Sequence, residues 1–388
     1  MKTEALSALP RPTVESPQGF WALTWVHLLN DGLANYLPGI LPFLGAVLHL
    51  PLPSIAGLMS ILLFGQMLQP VSGIVADRLG GRSLAIWGPV LTALAVVGVS
   101  VTRHYWMLAV LFLITGIGTT IFHPQALTMI RSVSQKGHGV TMSLFLIGGE
   151  VGRALGPVAA GWIVAREGLG SMWLMALPLA LTWPWLARRL PRLEAKPRGP
   201  AVRWAQHLRP GIALIVFSGL RAAVIYGLST FLPLLWRQTG GSLVVAASLV
   251  TTFIGIGVAG NLGAGAVADR YGKAVVLWGS TLLSVVLLIF LPMARGVWLW
   301  PLVAALGIAL FASLPVTMIL GQDIFYENPA MGSGVALGLG NGLGALLLPV
   351  LGAISAHVGI LSGFWVLAGL MGLTLGAIPF MRAKPRPI

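Results

Sequence analysis

The segment Gly73-Ile74-Val75-Ala76-Asp77-Arg78-Leu79-Gly80-Gly81-Arg82 recurs as Gly265-Ala266-Val267-Ala268-Asp269-Arg270-Tyr271-Gly272-Lys273, roughly 192 positions later, and each copy sits between long apolar stretches. The register holds elsewhere. Trp87-Gly88 falls opposite Trp278-Gly279 after one deletion, and Gly152 and Pro157 fall opposite Gly344 and Pro349. A chain with three such anchors at one offset is two copies of one unit.

Composition says where that unit lives. With 56% hydrophobic and 9% charged residues, the 388-residue chain has too little polar surface to cover a water-soluble globule of its size. A spanning helix needs about 20 apolar residues, and twelve helices with their connections fit the length. Apolar spans are expected near 20–48, 54–76, 83–102, 106–129, 140–165 and 171–187, then near 210–236, 243–267, 274–294, 297–320, 333–355 and 359–381. The expected fold is an all-α integral membrane protein of twelve transmembrane helices in two six-helix bundles related by pseudo-two-fold symmetry. The expected organisation is a cytosolic tail over 1–19, a first bundle over 20–187, a basic cytosolic linker over 188–209, a second bundle over 210–381 and a tail over 382–388.

A formal net charge of +14 could signal nucleic acid, but the placement of the charges points to topology. About 18 Lys and Arg fall on the tails, the linker and the even-numbered connections. The opposite side holds Arg103, Arg166, Arg237 and Arg295. This asymmetry puts both termini in the cytosol, in a cell inner (plasma) membrane, with Arg188, Arg189, Arg192, Lys196, Arg198, Arg203 and Arg209 near anionic headgroups. No nucleic-acid partner is expected. Cysteine is absent, which removes disulfides and thiolate metal sites.

A duplicated membrane bundle is how many secondary transporters are built, with the solute passing between the repeats. In the hairpin, Asp is expected to open a helix, Gly to permit a tight turn and Arg to stay on the cytosolic side. Gly73, Asp77, Arg78, Gly80 and Arg82, with Asp269, Arg270 and Lys273 in the second copy, are therefore candidates for a gating loop; a purely topological role is the alternative.

The pattern Gly-x-x-x-Asp-Arg-x-Gly-x-Arg, present in duplicate, resembles the signature loop of the major facilitator superfamily. That resemblance implies two bundles rocking about a cavity lined mainly by spans 1, 4, 7 and 10. Gly152, Gly156, Pro157 and Gly161 in span 5 are similar to the Gly-x-x-x-Gly-Pro-x-x-Gly-Gly element of proton-driven antiporters, with Ala160 in place of one glycine. Their alternative role is close helix packing. A narrower likeness, carried by His27-Leu28-Leu29-Asn30-Asp31, Phe122-His123-Pro124-Gln125, Gly137-His138-Gly139 and Gly148-Gly149, is to the fosmidomycin resistance branch. It implies proton-linked export of small, often anionic compounds.

Charge inside hydrocarbon costs at least a few kcal/mol, so it marks the working site. Asp31, Glu150, Arg153 and Arg221 lie near span centres and sum to zero. Asp31 is the first candidate for proton coupling. Glu150 ranks second, because Arg153 lies three residues on along the same helical face and could hold it in a self-contained ion pair. The repeat offset sets Arg221 opposite Asn30, so Asp31 and Arg221 are expected to face each other across the cavity. Candidates for substrate binding are Arg221, whose planar fork suits a phosphonate or carboxylate, and His123, Gln125, Asn30, His27, Asn35 and Arg153. Each has a bland reading as a packing or hydrogen-bonding residue.

No metal-ligand spacing, nucleophile elbow or phosphate-cradling loop appears, so no cofactor, no metal and no enzymatic activity are expected. The reading is a secondary active transporter: a proton-coupled antiporter exporting a small drug-like or anionic compound, in the lipid bilayer, as a monomer. Uptake by proton symport is the alternative, and a membrane-embedded enzyme using His27, Asp31 and His123 a distant one.

Overall fold

The computed structural model describes residues 17–69, 71–72, 81–133, 138–190 and 204–381; these form helices and turns, with no strand among the described residues. Span 1 comprises Pro17–Ala34 and Leu37–Val47, span 2 contains Leu52–Gln66, span 3 is Gly81–Val101, span 4 Tyr105–Val133 and span 5 His138–Glu167. Span 6 opens with 3-10 turns over Leu169–Ala176 and continues as Leu177–Arg189. Spans 7 to 10 are Trp204–Gln238, Leu243–Tyr271, Lys273–Phe290 and Leu299–Ile324. Span 11 combines Pro329–Gly334, π turns at Val335–Leu339 and Gly340–Val358; span 12 is Ile360–Leu373.

Twelve spans thus trace the expected order, with informative departures. Among the described residues nine helices are long and apolar enough to cross a membrane. The other three are span 1, broken in two, span 2, whose described helix is short, and span 5, which carries Glu150 and Arg153. The break in span 1 has a local cause: Pro38 offers no N–H to the carbonyl of Ala34, and the chain leaves the helix at Asn35 and Tyr36. Helix also invades the expected tail and linker. Pro17 opens span 1, a favoured place for proline, and Trp204 already belongs to span 7. Arg188 and Arg189 close span 6, where cations suit the carbonyl end of a helix.

Glycine brings spans together at the same places in both halves. A Cβ built on Gly152 of span 5 would lie 2.0 Å from the Leu28 carbonyl oxygen of span 1; on Gly344 of span 11 it would lie 2.8 Å from Ala222 Cβ of span 7. The pattern repeats for spans 2 and 4, where a Cβ on Gly116 would lie 2.1 Å from the Leu62 carbonyl oxygen, and for spans 8 and 10, where one on Gly307 would lie 2.2 Å from that of Phe253. Backbones this close gain dispersion energy that larger side chains would forbid. The repeat in the sequence is therefore a repeat in packing. The halves meet through span 2 on span 11 and span 5 on span 8. Ser60 donates to the Ala345 carbonyl, and Gly161 faces Ala247. Trp87, Trp106, Trp278 and Trp298 are exposed on the outside of the bundles.

A buried charge cluster as the candidate functional site

Asp31 lies one turn before the break in span 1 and is 1% exposed. Asn35 takes up the turn, its Nδ2 donating to the Asp31 main-chain carbonyl at 2.9 Å. This leaves the Asp31 carboxylate to face neighbouring spans. His123 Nε2 of span 4 is 3.1 Å from Oδ1, His27 Nε2 is 3.6 Å from Oδ2, and Arg153 Nη2 of span 5 is 3.5 Å from Oδ2. Asn30 Nδ2 donates to Oδ1 at 3.1 Å and to Thr119 Oγ1 at 2.8 Å. His27 is seated by a ring stack on Phe145, with centroids 4.2 Å apart.

Arg153 extends the cluster. Its Nη1 meets Glu150 Oε1 at 3.2 Å, and Asn261 Nδ2 of span 8 reaches the same oxygen at 3.5 Å. Glu150 and Arg153 do pair, as their spacing suggests, but the pair is not self-contained: it connects Asp31 in the first half to Asn261 in the second. The ligand-capable atoms of His27, Asp31 and His123 all lie within 4.8 Å of one another. That donor set would suit a metal ion only if Arg153 were elsewhere, because its guanidinium already supplies positive charge at Oδ2.

Arg221 is 2% exposed on span 7, and its Nη1 donates to Ser313 Oγ and Thr317 Oγ1 of span 10, both at 3.2 Å. Its Nε has no partner, and among the described residues no carboxylate pairs with it. Asp31 and Arg221, expected to face each other across the cavity, make no direct ion pair: Asp31 takes Arg153, and Arg221 takes two hydroxyls. Offset in sequence fixes depth in the membrane, whereas rotation of each helix about its axis decides which neighbour a side chain meets. Spans 1, 4, 7 and 10 do supply Asp31, His123, Arg221 and the Ser313–Thr317 pair, with spans 5 and 8 adding Arg153, Glu150 and Asn261. Gln125 is buried on span 4.

The span-5 glycines lie against span 1. Cβ atoms on Gly152 and Gly156 would strike the carbonyls of Leu28 and Gly32, and one on Gly39 would strike that of Pro157. Of the hairpin residues, Gly73, Asp77, Arg78 and Gly80 lie outside the described residues. Arg82 donates to the Ala187 and Leu190 carbonyls at 2.6 and 3.2 Å, capping the end of span 6. In the second copy the expectation that Asp opens a helix is corrected: Asp269 lies in the last turn of span 8, and Gly272, at φ 93°, makes the turn. The helix runs on until a residue tolerant of positive φ ends it. Arg270 lies over the Tyr271 ring, and Lys273 pairs with Asp323 of span 10 within the same half.

Thr119, Ser313 and Thr317 are not among the residues that the sequence singles out for this site. Ser313 and Thr317 did carry a signal, since their i, i+4 spacing puts two hydroxyls on one face of an apolar helix.

Comparison with known proteins agrees with this architecture. The chain is 28% identical over 360 residues to the fosmidomycin resistance protein of Escherichia coli (strain K12), covering 87% of this chain and 86% of that protein. It is 26% identical over 376 residues to the uncharacterized MFS-type transporter YfnC of Bacillus subtilis (strain 168), covering 92% and 90%. Among solved structures, the nucleoside transporter NupG superposes with a TM-score of 0.77 at 16% identity, over 93% of this chain and 99% of that one. An inward-facing, unoccupied bacterial homologue of the lysosomal transporter Spinster gives 0.73 at 15%, over 95% and 97%. Residues 21–339 match the Major Facilitator Superfamily. With that match, two glycine-packed bundles and a shared buried charge cluster, the chain belongs to the Major Facilitator Superfamily and is a multi-pass membrane transporter, not an enzyme.

Proposed function

We propose that this transporter is a proton-coupled antiporter that exports a small anionic organic compound, with Asp31 and Glu150 in the proton pathway and Arg221 holding the anion. The observation that carries this reading is the division of labour between the halves. The first half gathers Glu150, two imidazoles and one guanidinium about Asp31; the second presents the buried guanidinium of Arg221 with, among the described residues, hydroxyl partners alone. A buried cation with no fixed counter-ion is a seat for a substrate carboxylate or phosphonate, and its planar fork suits such groups bidentately. The likeness to a fosmidomycin resistance protein supports export and makes fosmidomycin, a phosphonate, the first compound to test. Asn30, His27, His123, Gln125, Asn35 and Arg153 complete the proposed site.

Two membrane-crossing repeats on one chain are enough for alternating access, so the working unit is proposed to be a monomer. The charge asymmetry of the loops orients it with both termini in the cytoplasm of a cell whose inner membrane it crosses.

The test is uptake of labelled fosmidomycin and of simple organic anions into proteoliposomes under a pH gradient of each sign. Antiport accumulates the compound when the lumen is acidic. Accumulation only when the outside is acidic would establish symport instead, and transport indifferent to either gradient would end the proton-coupled reading.

A further inference from the structure

The donors and acceptors around Asp31 do not balance unless the cluster holds an extra proton. His123 Nδ1 lies 2.8 Å from the Thr119 main-chain carbonyl, and His27 Nδ1 lies 2.9 Å from that of Phe145. A carbonyl only accepts, so both Nδ1 atoms carry hydrogen. In a neutral imidazole the other nitrogen is then a bare lone pair. Yet His123 Nε2 faces Asp31 Oδ1 at 3.1 Å, and two lone pairs at that distance repel. A proton must lie between them. Asn30 donates to Oδ1 and the Arg153 guanidinium to Oδ2, contacts that favour the ionised carboxylate and so place that proton on the ring.

We propose that the transported proton is carried by His123 as an imidazolium bonded to Asp31, with Asp31 its fixed counter-ion. This rests on the proton-coupled reading above and assigns the carrier within it. Release is a single transfer: the Nε2–H bond breaks, the proton passes to a cavity water, and the bonding pair stays on Nε2. The neutral ring then confronts the carboxylate with a lone pair, so His123 must turn or span 4 must withdraw from span 1. Asp31 stays ionised, held by Arg153 and Asn30. Proton release is thereby tied to a displacement, which alternating access requires. His27, with Nε2 at 3.6 Å from Oδ2, lies beyond hydrogen-bond reach and acts as a positioning residue. The other charged or titratable groups facing the pair come from span 5, as Arg153 and Glu150, and from span 7, as Tyr226.

The first test needs no substrate, and the second is the transport assay above. Protein labelled with ¹⁵N-histidine in lipid nanodiscs is titrated from about pH 5 to about pH 9 and its ring nitrogens observed by NMR, where charge and tautomer are distinguishable. Loss in His123→Gln or His123→Asn assigns the signal. In the wild type, His123 is expected as an imidazolium near neutral pH and, once deprotonated, as the tautomer with hydrogen on Nδ1. In Asp31→Asn its imidazolium population near pH 7 should fall at least fivefold; should the His123 variants fail to fold, this loss also assigns the signal. A His123 that is neutral throughout, or unchanged by Asp31→Asn, overturns the assignment. So does His123→Gln transport that still follows the pH gradient as the wild type does, leaving proton coupling itself standing. Wild-type transport indifferent to the gradient overturns the broader reading, and the assignment with it.

Discussion

Arg153 Nη2 stands 3.5 Å from Asp31 Oδ2 across the contact between spans 5 and 1, while its other terminal nitrogen holds Glu150. One guanidinium therefore serves two carboxylates. Removing it leaves Asp31 to His123 alone and Glu150 with no cation among the described residues, whereas removing one carboxylate leaves a pair intact.

Arg153→Gln is accordingly expected to destabilise the protein by about 1–3 kcal/mol, less than a fully buried pair would cost, because Arg153 is partly exposed. Glu150→Gln should cost less, and the double variant less than the sum of the two. Thermal unfolding in detergent, arranged as a double-mutant cycle, measures the difference.

Gly152→Ala should be among the most damaging single-methyl additions in the chain. Its Cβ would fall 2.0 Å from a main-chain oxygen that cannot step aside, while a Cβ on Gly170 meets nothing within 4 Å. Gly152→Ala should cost at least about 1–3 kcal/mol, as overpacking does, and Gly170→Ala should be nearly neutral. Yield of monodisperse protein and its unfolding temperature give the comparison.

Arg221→Gln should raise the KM for an anionic substrate by about tenfold to a hundredfold, the scale of a lost charge-assisted hydrogen bond in a dry site. Ser313→Ala and Thr317→Ala should raise it only a few-fold, because each removes an orienting acceptor and leaves the charge. Initial rates in proteoliposomes check both, and equal effects from all three variants would deny Arg221 its anion.

Lys273→Ala is expected to change stability by less than about 1 kcal/mol, as for other exposed ion pairs, since both Lys273 and Asp323 are open to solvent. Exchanging the two charges in Lys273→Asp with Asp323→Lys should restore whatever transport rate either single change removes. Restoration would mark the pair as a brace within the second half.

The spans, the duplication and the intramembrane charges were legible in the sequence because each is a property of composition or of local spacing. Glu150 and Arg153 belong to that class, lying on one helical face within a single turn. The partners of Asp31 do not. His123 is far away along the chain, and its approach depends on how span 4 rotates once glycines such as Gly116 let it settle on span 2. The repeat offset pointed to Arg221 across the cavity, and an offset is silent about how each helix is rotated. The hairpin misled in a different way: its aspartate invites reading as the start of a helix, yet apolar periodicity carries span 8 through Asp269 until Gly272 stops it.

The glycine seam joining spans 1 and 5 has a mechanical consequence. Helices seated carbonyl against Cα have no slack to slide, so Asp31, Arg153 and Glu150 ride on a single plank whose internal distances stay fixed as the transporter rocks. Under the mechanism proposed above, what varies during a cycle is the reach from that plank to His123 on one flank and to Asn261 on the other, and there a change of occupancy would be converted into a change of shape.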